Sequence, residues 1–113
     1  MSIINQQVTT HRFLRLLDGD SFYPGELVDR GRAILLQLCE RIESERPADL
    51  SALYLLTHAA TEEFNALEAE FDSAGSELDT VAREEIGEDF WFVACAYGFD
   101  DSDAEELIAT REW

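Results

Sequence analysis

The chain has 113 residues, 46% hydrophobic and 11% aromatic, enough for one folded domain whose core needs neither a disulfide nor a metal. Eight basic residues, all arginine, face 25 acidic ones, for a formal net charge of −17. Such a field repels nucleic acid and anionic membrane and attracts cations and basic proteins, so nucleic-acid and membrane binding are excluded.

The charge is also lopsided. Residues 1–61 carry eight acids and six arginines, a net of −2, whereas residues 62–113 carry seventeen acids and two arginines, a net of −15. Solubility or adaptation to salt is the plainer account of this surface, and capture of a basic partner the functional one. Cys39 and Cys95 lie in apolar helical stretches with no CxxC or Cys/His set. They read as buried reduced thiols, with a Cys39–Cys95 disulfide left open. The opening residues show no secretory signal, and the longest apolar run, Phe90 to Phe99, is too short to span a bilayer; a cytoplasmic location is expected.

Residues 1–6 read as a loose lead-in. From Thr9 or Thr10 the pattern predicts an amphipathic helix that buries Phe13, Leu14, Leu16 and Leu17, with His11 solvated in its first turn, ending at Asp18-Gly19-Asp20. After a turn at Ser21–Gly25, with Pro24 suited to a helix start, a second helix runs from about Glu26 to Glu45. Its seam is Leu27, Gly31, Ile34, Leu35, Leu38 and Ile42, with Glu26–Arg30 and Arg41–Glu45 as i,i+4 pairs. Gly31 in that seam suggests a close backbone approach, since it costs about 1 kcal/mol against Ala. Asp29 and Arg32 read as surface charges.

Pro47 stops the second helix, and Asp49 or Ser51 can cap the central one. That helix carries the cleanest stripe in the chain: Leu53, Leu56, Ala60, Phe64, Leu67 and Phe71. Gly75 closes it, and Asp79 or Thr80 caps a fourth helix from about Leu78 to Tyr97, whose second half, FWFVACAY, is apolar nearly all round. That run is either the most buried segment or an exposed aromatic contact surface. Gly98 to Asp101 breaks it, Ser102 or Asp103 caps a short helix from Ala104 to Thr110, and Leu107, Ile108 and Trp113 dock that helix on the rest. The expected fold is an all-α, up-down bundle of four or five helices with a short C-terminal helix.

The segments YPGELVDRG (23–31), THAATEEFN (57–65), AYGFD (96–100) and EELIATREW (105–113) resemble a small bacterial family described as a domain of unknown function. The resemblance runs from Tyr23 onward. It implies membership and assigns no activity or site residue.

Two sets of residues carry candidate chemistry. His58 and Glu62 are one helical turn apart and point to one side, as metal ligands on bundle helices do. A di-iron bundle brings Glu-x-x-His from two helices, whereas here one histidine lies in a suitable helix, which leaves a one-His carboxylate site for manganese or iron. In the structural alternative, His58 donates to Glu62 or to a backbone carbonyl. No Gly-x-Ser-x-Gly, phosphate loop or cysteine with a base nearby in sequence is present, so the reading leans away from an enzyme and calls for no cofactor.

The second set is the acidic half: Glu77, Asp79, Glu84, Glu88, Asp101, Asp103, Glu105 and Glu106, expected on a common face that binds a basic protein. Self-association is the other use of the charge asymmetry, with Arg12, Arg15, Arg30 and Arg32 meeting the acidic half of a second copy. Together these readings favour a non-enzymatic acidic protein-interaction module, with a metal-binding bundle protein as the alternative.

Overall fold

The computed structural model describes residues 3–113. Within them five α-helices and one 3-10 turn occur, and no strand: α1 (Gln6–Thr9), the 3-10 turn (Arg15–Leu17), α2 (Gly25–Glu45), α3 (Leu50–Ser73), α4 (Thr80–Ala96) and α5 (Ala104–Leu107). The all-α bundle expected from the sequence is what forms. Its Cα radius of gyration is 13.5 Å, the value of a compact chain of this length.

Each long helix starts and stops where its local chemistry dictates. The Asp49 side chain accepts from the Ala52 N–H and caps α3, and Asp79 does the same for α4 through Ala82. Gly75 at φ +79° closes α3, with the Ser76 N–H returning to the Phe71 carbonyl. Pro47 lies one residue beyond Arg46, which ends α2 in a left-handed conformation.

Side-chain pairs fix the directions of the helices. Arg30 near the start of α2 pairs with Glu70 near the end of α3, so these two run antiparallel. Tyr23 just before α2 reaches Asp79 just before α4, and Glu43 late in α2 meets Tyr97 at the end of α4, so α2 and α4 run parallel. The order is therefore up, down, up. Leu35, Cys39, Leu53, Phe64, Leu67, Phe71, Ile86, Phe90 and Val93 fill the space between them. Each such large side chain contributes about 1.5–3 kcal/mol by leaving water.

The N-terminal segment departs from expectation. In place of one amphipathic helix from Thr9 onward, α1 ends at Thr9, the chain runs on without regular structure, and Leu14 turns left-handed at φ +56° before the 3-10 turn. The break lets Phe13, Leu14 and Leu17 all bury, while Leu16 remains half exposed. Carboxylates of α4 compensate the backbone, because the Leu14 N–H donates to Asp89 and the Leu16 N–H to Glu85. The lead-in is held as well: the Ile4 and Asn5 N–H groups donate to Glu43, and the Asn5 side chain donates to the Ala96 carbonyl. Residues 1 and 2 of that expected loose stretch lie outside the described residues.

Gly31 also has a different neighbour from the one expected. An added Cβ would stand 2.7 Å from Leu14 Cδ1 and 3.2 Å from Phe64 Cε1, so side chains of residues 7–17, a strap laid across α4, and of α3, not a backbone, occupy the space. Arg30 pairs with Glu70 across helices and not with Glu26, whereas the Arg41–Glu45 pair forms as expected. The apolar run of α4 is divided: Phe90, Val93 and Ala94 are buried, and Trp91 is 37% exposed.

Candidate functional site

His58 reaches the C-terminal segment. Its Nε2 lies 2.7 Å from the Glu106 carbonyl, which accepts and so places the imidazole proton on that nitrogen, while Glu62 is exposed to solvent. His58 belongs to a polar ladder along α3. The Asp103 N–H donates to the Tyr54 hydroxyl, the Thr61 hydroxyl to the Leu107 carbonyl, the Asn65 amide to the Thr110 carbonyl, and the Glu112 N–H to the Asn65 side chain. Residues 54, 58, 61 and 65 recur at helical spacing, so one stripe of α3 receives the whole stretch 103–112. Among the described residues no three His, Cys, Asp or Glu side chains converge so as to hold a metal ion.

His11 is half-buried and not solvated. Its Nε2–H donates to Asp89 Oδ1 at 2.9 Å, and the ring stacks on Phe92 at 3.8 Å between centroids. Burial pushes the Asp89 carboxyl above the ordinary aspartate value, and the His11 and Leu14 hydrogen bonds pull against that rise. Asp89 and Glu85 are thus anchors for the N-terminal strap. The sequence gives neither of them this anchoring role, because a buried carboxylate looks like any other member of an acidic helix until the donor from a distant segment is seen.

The eight acidic residues expected on one face divide by task. Asp79 is engaged as the α4 cap and by the Tyr23 hydroxyl at 2.6 Å, and that hydroxyl bond, against a smaller push from burial, holds its carboxyl below the ordinary value. Asp103 is the α5 cap, accepting from the Glu105 and Glu106 N–H groups. Glu77, Asp101 and Glu106 are exposed. Glu84, Glu88 and Glu105 come together, lining a groove of about 630 Å³ between α4 and α5.

Trp91, Gly87 and Ile108 give that groove an apolar floor, and Ser102 and both arginines of the acidic half, Arg83 and Arg111, line it too. An added Cβ at Gly87 would meet Ile108 Cδ1 at 3.7 Å, ordinary contact distance. Arg83 donates to the Thr80 hydroxyl at 3.2 Å. Arg111 comes within 3.7 Å of Glu105 and lies 5.5 Å over the Trp113 ring. Sequence reading missed Arg83, Arg111, Ser102 and Gly87 as members of a site. The signal within reach was that the acidic half holds just two arginines.

Of the arginines offered for self-association, Arg12 pairs with Asp18, Arg30 with Glu70, and Arg32 with Asp18 and Asp29. Arg32 also donates to the Phe13 carbonyl. Both cysteines are free, and burial pushes the Cys39 thiol up to about 12, which leaves it protonated and inert. No helix among the described residues is long and apolar enough to cross a membrane.

Comparison with curated proteins and with solved structures gives no significant match to either. A family profile described as "Family of unknown function (DUF5713)" matches residues 7–113. With nearly its whole length matched, including the strap anchored on α4, the three-helix core and the C-terminal segment docked on α3, the chain belongs to the DUF5713 family.

Proposed function

We propose that this protein is a non-enzymatic, acidic interaction module of the cytoplasm, and that it binds a basic protein partner through the groove between α4 and α5. The observation that carries the reading is the convergence of Glu84, Glu88 and Glu105 around exposed Trp91 and the Gly87–Ile108 floor. Tryptophan is enriched at the energetic centres of protein interfaces, and a carboxylate rim selects and steers a cationic partner. The net charge of −17 adds long-range attraction of the same sign. Two free thiols accord with a reducing compartment.

The test is a titration of the protein with an Arg/Lys-rich peptide carrying one apolar aromatic residue, followed by Trp fluorescence. An acidic peptide of equal length serves as the control. Binding of the basic peptide is expected to weaken steeply with salt and to be lost in Trp91→Ala and in the Glu84→Lys, Glu88→Lys double variant. Equal binding of the two peptides, or basic-peptide binding untouched by these variants, overturns the reading.

A further inference from the structure

Resting on the proposed basic partner, we infer that the segment received by the α4–α5 groove is an amphipathic basic helix, its backbone packed on α4 at Gly87 and its cations facing Glu84 and Glu88. Gly87 is the first argument. It stands in the middle of α4, where glycine is the least favourable residue after proline, and no packing contact among the described residues demands it. At Gly31 an added Cβ would meet Leu14 Cδ1 at 2.7 Å, whereas at Gly87 it would meet Ile108 Cδ1 at 3.7 Å, an ordinary contact. Alanine would therefore fit at position 87 and strengthen the helix. The glycine instead leaves a half-exposed notch in the floor of the groove, where a second backbone can come close.

The stripe around Gly87 is the second argument. Thr80, Glu84, Gly87 and Trp91 line the groove at spacings of four, three and four, the seam along which one helix packs on another. All four are exposed or half-exposed. The seam is roughly 16 Å long, about three helical turns. Elsewhere α4 lies beside the long helix α2, but across the groove its neighbour is α5, four residues in length.

The groove is poorly furnished for an extended chain. Residues 103–112 lie on α3 because Tyr54, His58, Thr61 and Asn65 take up their backbone N–H and carbonyl groups. Along the groove floor Gly87 and Ile108 have no polar side-chain atom, Trp91 has a single donor, and the α4 backbone is spent within its own helix. A helix arrives with its backbone already hydrogen-bonded and needs no such ladder.

Charge sets which helix it is. Arg111 is paired with Glu105, and Arg83 is held on the Thr80 hydroxyl. Glu84 and Glu88 are exposed, one turn apart, and enter no ion pair among the described residues. A helix with Arg or Lys one turn apart on one edge, a small residue where it crosses Gly87 and an apolar residue over Trp91 matches all of these at once.

The experiment titrates the protein with three peptides of about 14 residues, long enough for the seam. The first is an Ala-based helix with Arg on one side and Leu on the other, the second the same peptide with a central proline, and the third the same helix with Glu in place of Arg. The proline is expected to weaken binding roughly tenfold or more. In Gly87→Ala the melting temperature should hold or rise while the basic helix binds roughly tenfold more weakly, and Gly87→Leu should abolish binding. If the two basic peptides bind equally and still depend on Glu84 and Glu88, the helix is wrong and the basic-partner reading survives. Full-strength binding to Gly87→Ala, or a melting temperature that falls in that variant, overturns the close approach at Gly87 and the inference with it. Equal binding of the acidic and basic helices overturns the basic partner instead, and failure of all three peptides to bind at low salt sinks both. Peptide-free dimerisation that Gly87→Leu abolishes would make a second copy the occupant and overturn the assignment.

Discussion

Glu43 gathers more of the chain than any pattern in its neighbourhood announces. Its carboxylate accepts from the Ile4 and Asn5 N–H groups and from the Tyr97 hydroxyl, and so ties the N-terminal lead-in and the end of α4 to α2. Burial pushes its pKa up, but the Tyr97, Ile4 and Asn5 hydrogen bonds outweigh that and hold it below the ordinary glutamate value of 4.5. A carboxyl whose folded pKa is lowered adds stability above the unfolded value and loses it as pH falls through the folded one. Glu43→Gln should therefore lower stability near neutrality by about 1–2 kcal/mol and flatten the acid limb below pH 4.5, read from urea midpoints on either side of that value. An unchanged acid limb would show that Glu43 is no part of the pH dependence.

The pair His58 and Glu62 separates two roles at the same scale. With Nε2 on the Glu106 carbonyl, His58→Ala should cost about 1 kcal/mol and expose residues 103–112 to faster hydrogen exchange. Glu62→Ala, at an exposed position, should stay within about 0.5 kcal/mol of the parent. Were the two residues metal ligands, both variants would instead lose metal from the purified protein, so elemental analysis of the pair decides. His58 was visible in the sequence as the candidate of its helix. A backbone carbonyl was one of its two expected partners, but which carbonyl was not legible, since one 48 residues away leaves no mark on spacing.

Among the elements, the three long helices were legible because stripe, cap and stop agree in each. The Leu53–Phe71 stripe is the buried face of α3, and Asp49 and Asp79 cap as their positions suggest. The N-terminal segment was misread for a physical reason. Four apolar residues in five, Phe13 to Leu17, imitate helical spacing, but no rule of local sequence registers that Asp89 and Glu85 will compete for the Leu14 and Leu16 N–H groups. The groove was half legible: Glu84, Glu88 and Glu105 were named, and the arginines and serine between them were not. Gly31 shows how tightly strap and helix fit. Helix propensity favours Gly31→Ala by up to about 1 kcal/mol, but overpacking against buried Leu14 and the Phe64 ring costs about 1–3 kcal/mol. Thermal unfolding of Gly31→Ala should show a net loss, and a gain would mean that Leu14 moves aside freely.

For the molecule as a whole, a charge of −17 on 113 residues sets repulsion against a core of ordinary size. Among the described residues six arginine–carboxylate pairs offset part of it, but five of them involve Arg12, Arg30, Arg32 or Arg41, in the less charged part of the chain. The acidic half is left largely uncompensated. Screening should therefore stabilise the fold, and the melting temperature should rise on going from low to moderate sodium chloride. A melting temperature that falls with salt would mean that attractive pairs outweigh the repulsion.

The strap on α4 has a consequence in time. Contacts between α2 and α3 join nearby stretches of chain, so that hairpin can assemble early, whereas the His11–Asp89 and Asn5–Ala96 contacts bridge 78 and 91 residues. Closing such loops comes after the hairpin has made a surface to close upon. The two routes then carry different kinetic weight: changes in the α2–α3 seam alter how fast the chain folds, and changes at Asp89 or His11 alter how fast it comes apart. During synthesis α4 emerges from the ribosome long after the strap, which must wait, with Phe13, Leu14 and Leu17 unburied, for the two carboxylates that hold it.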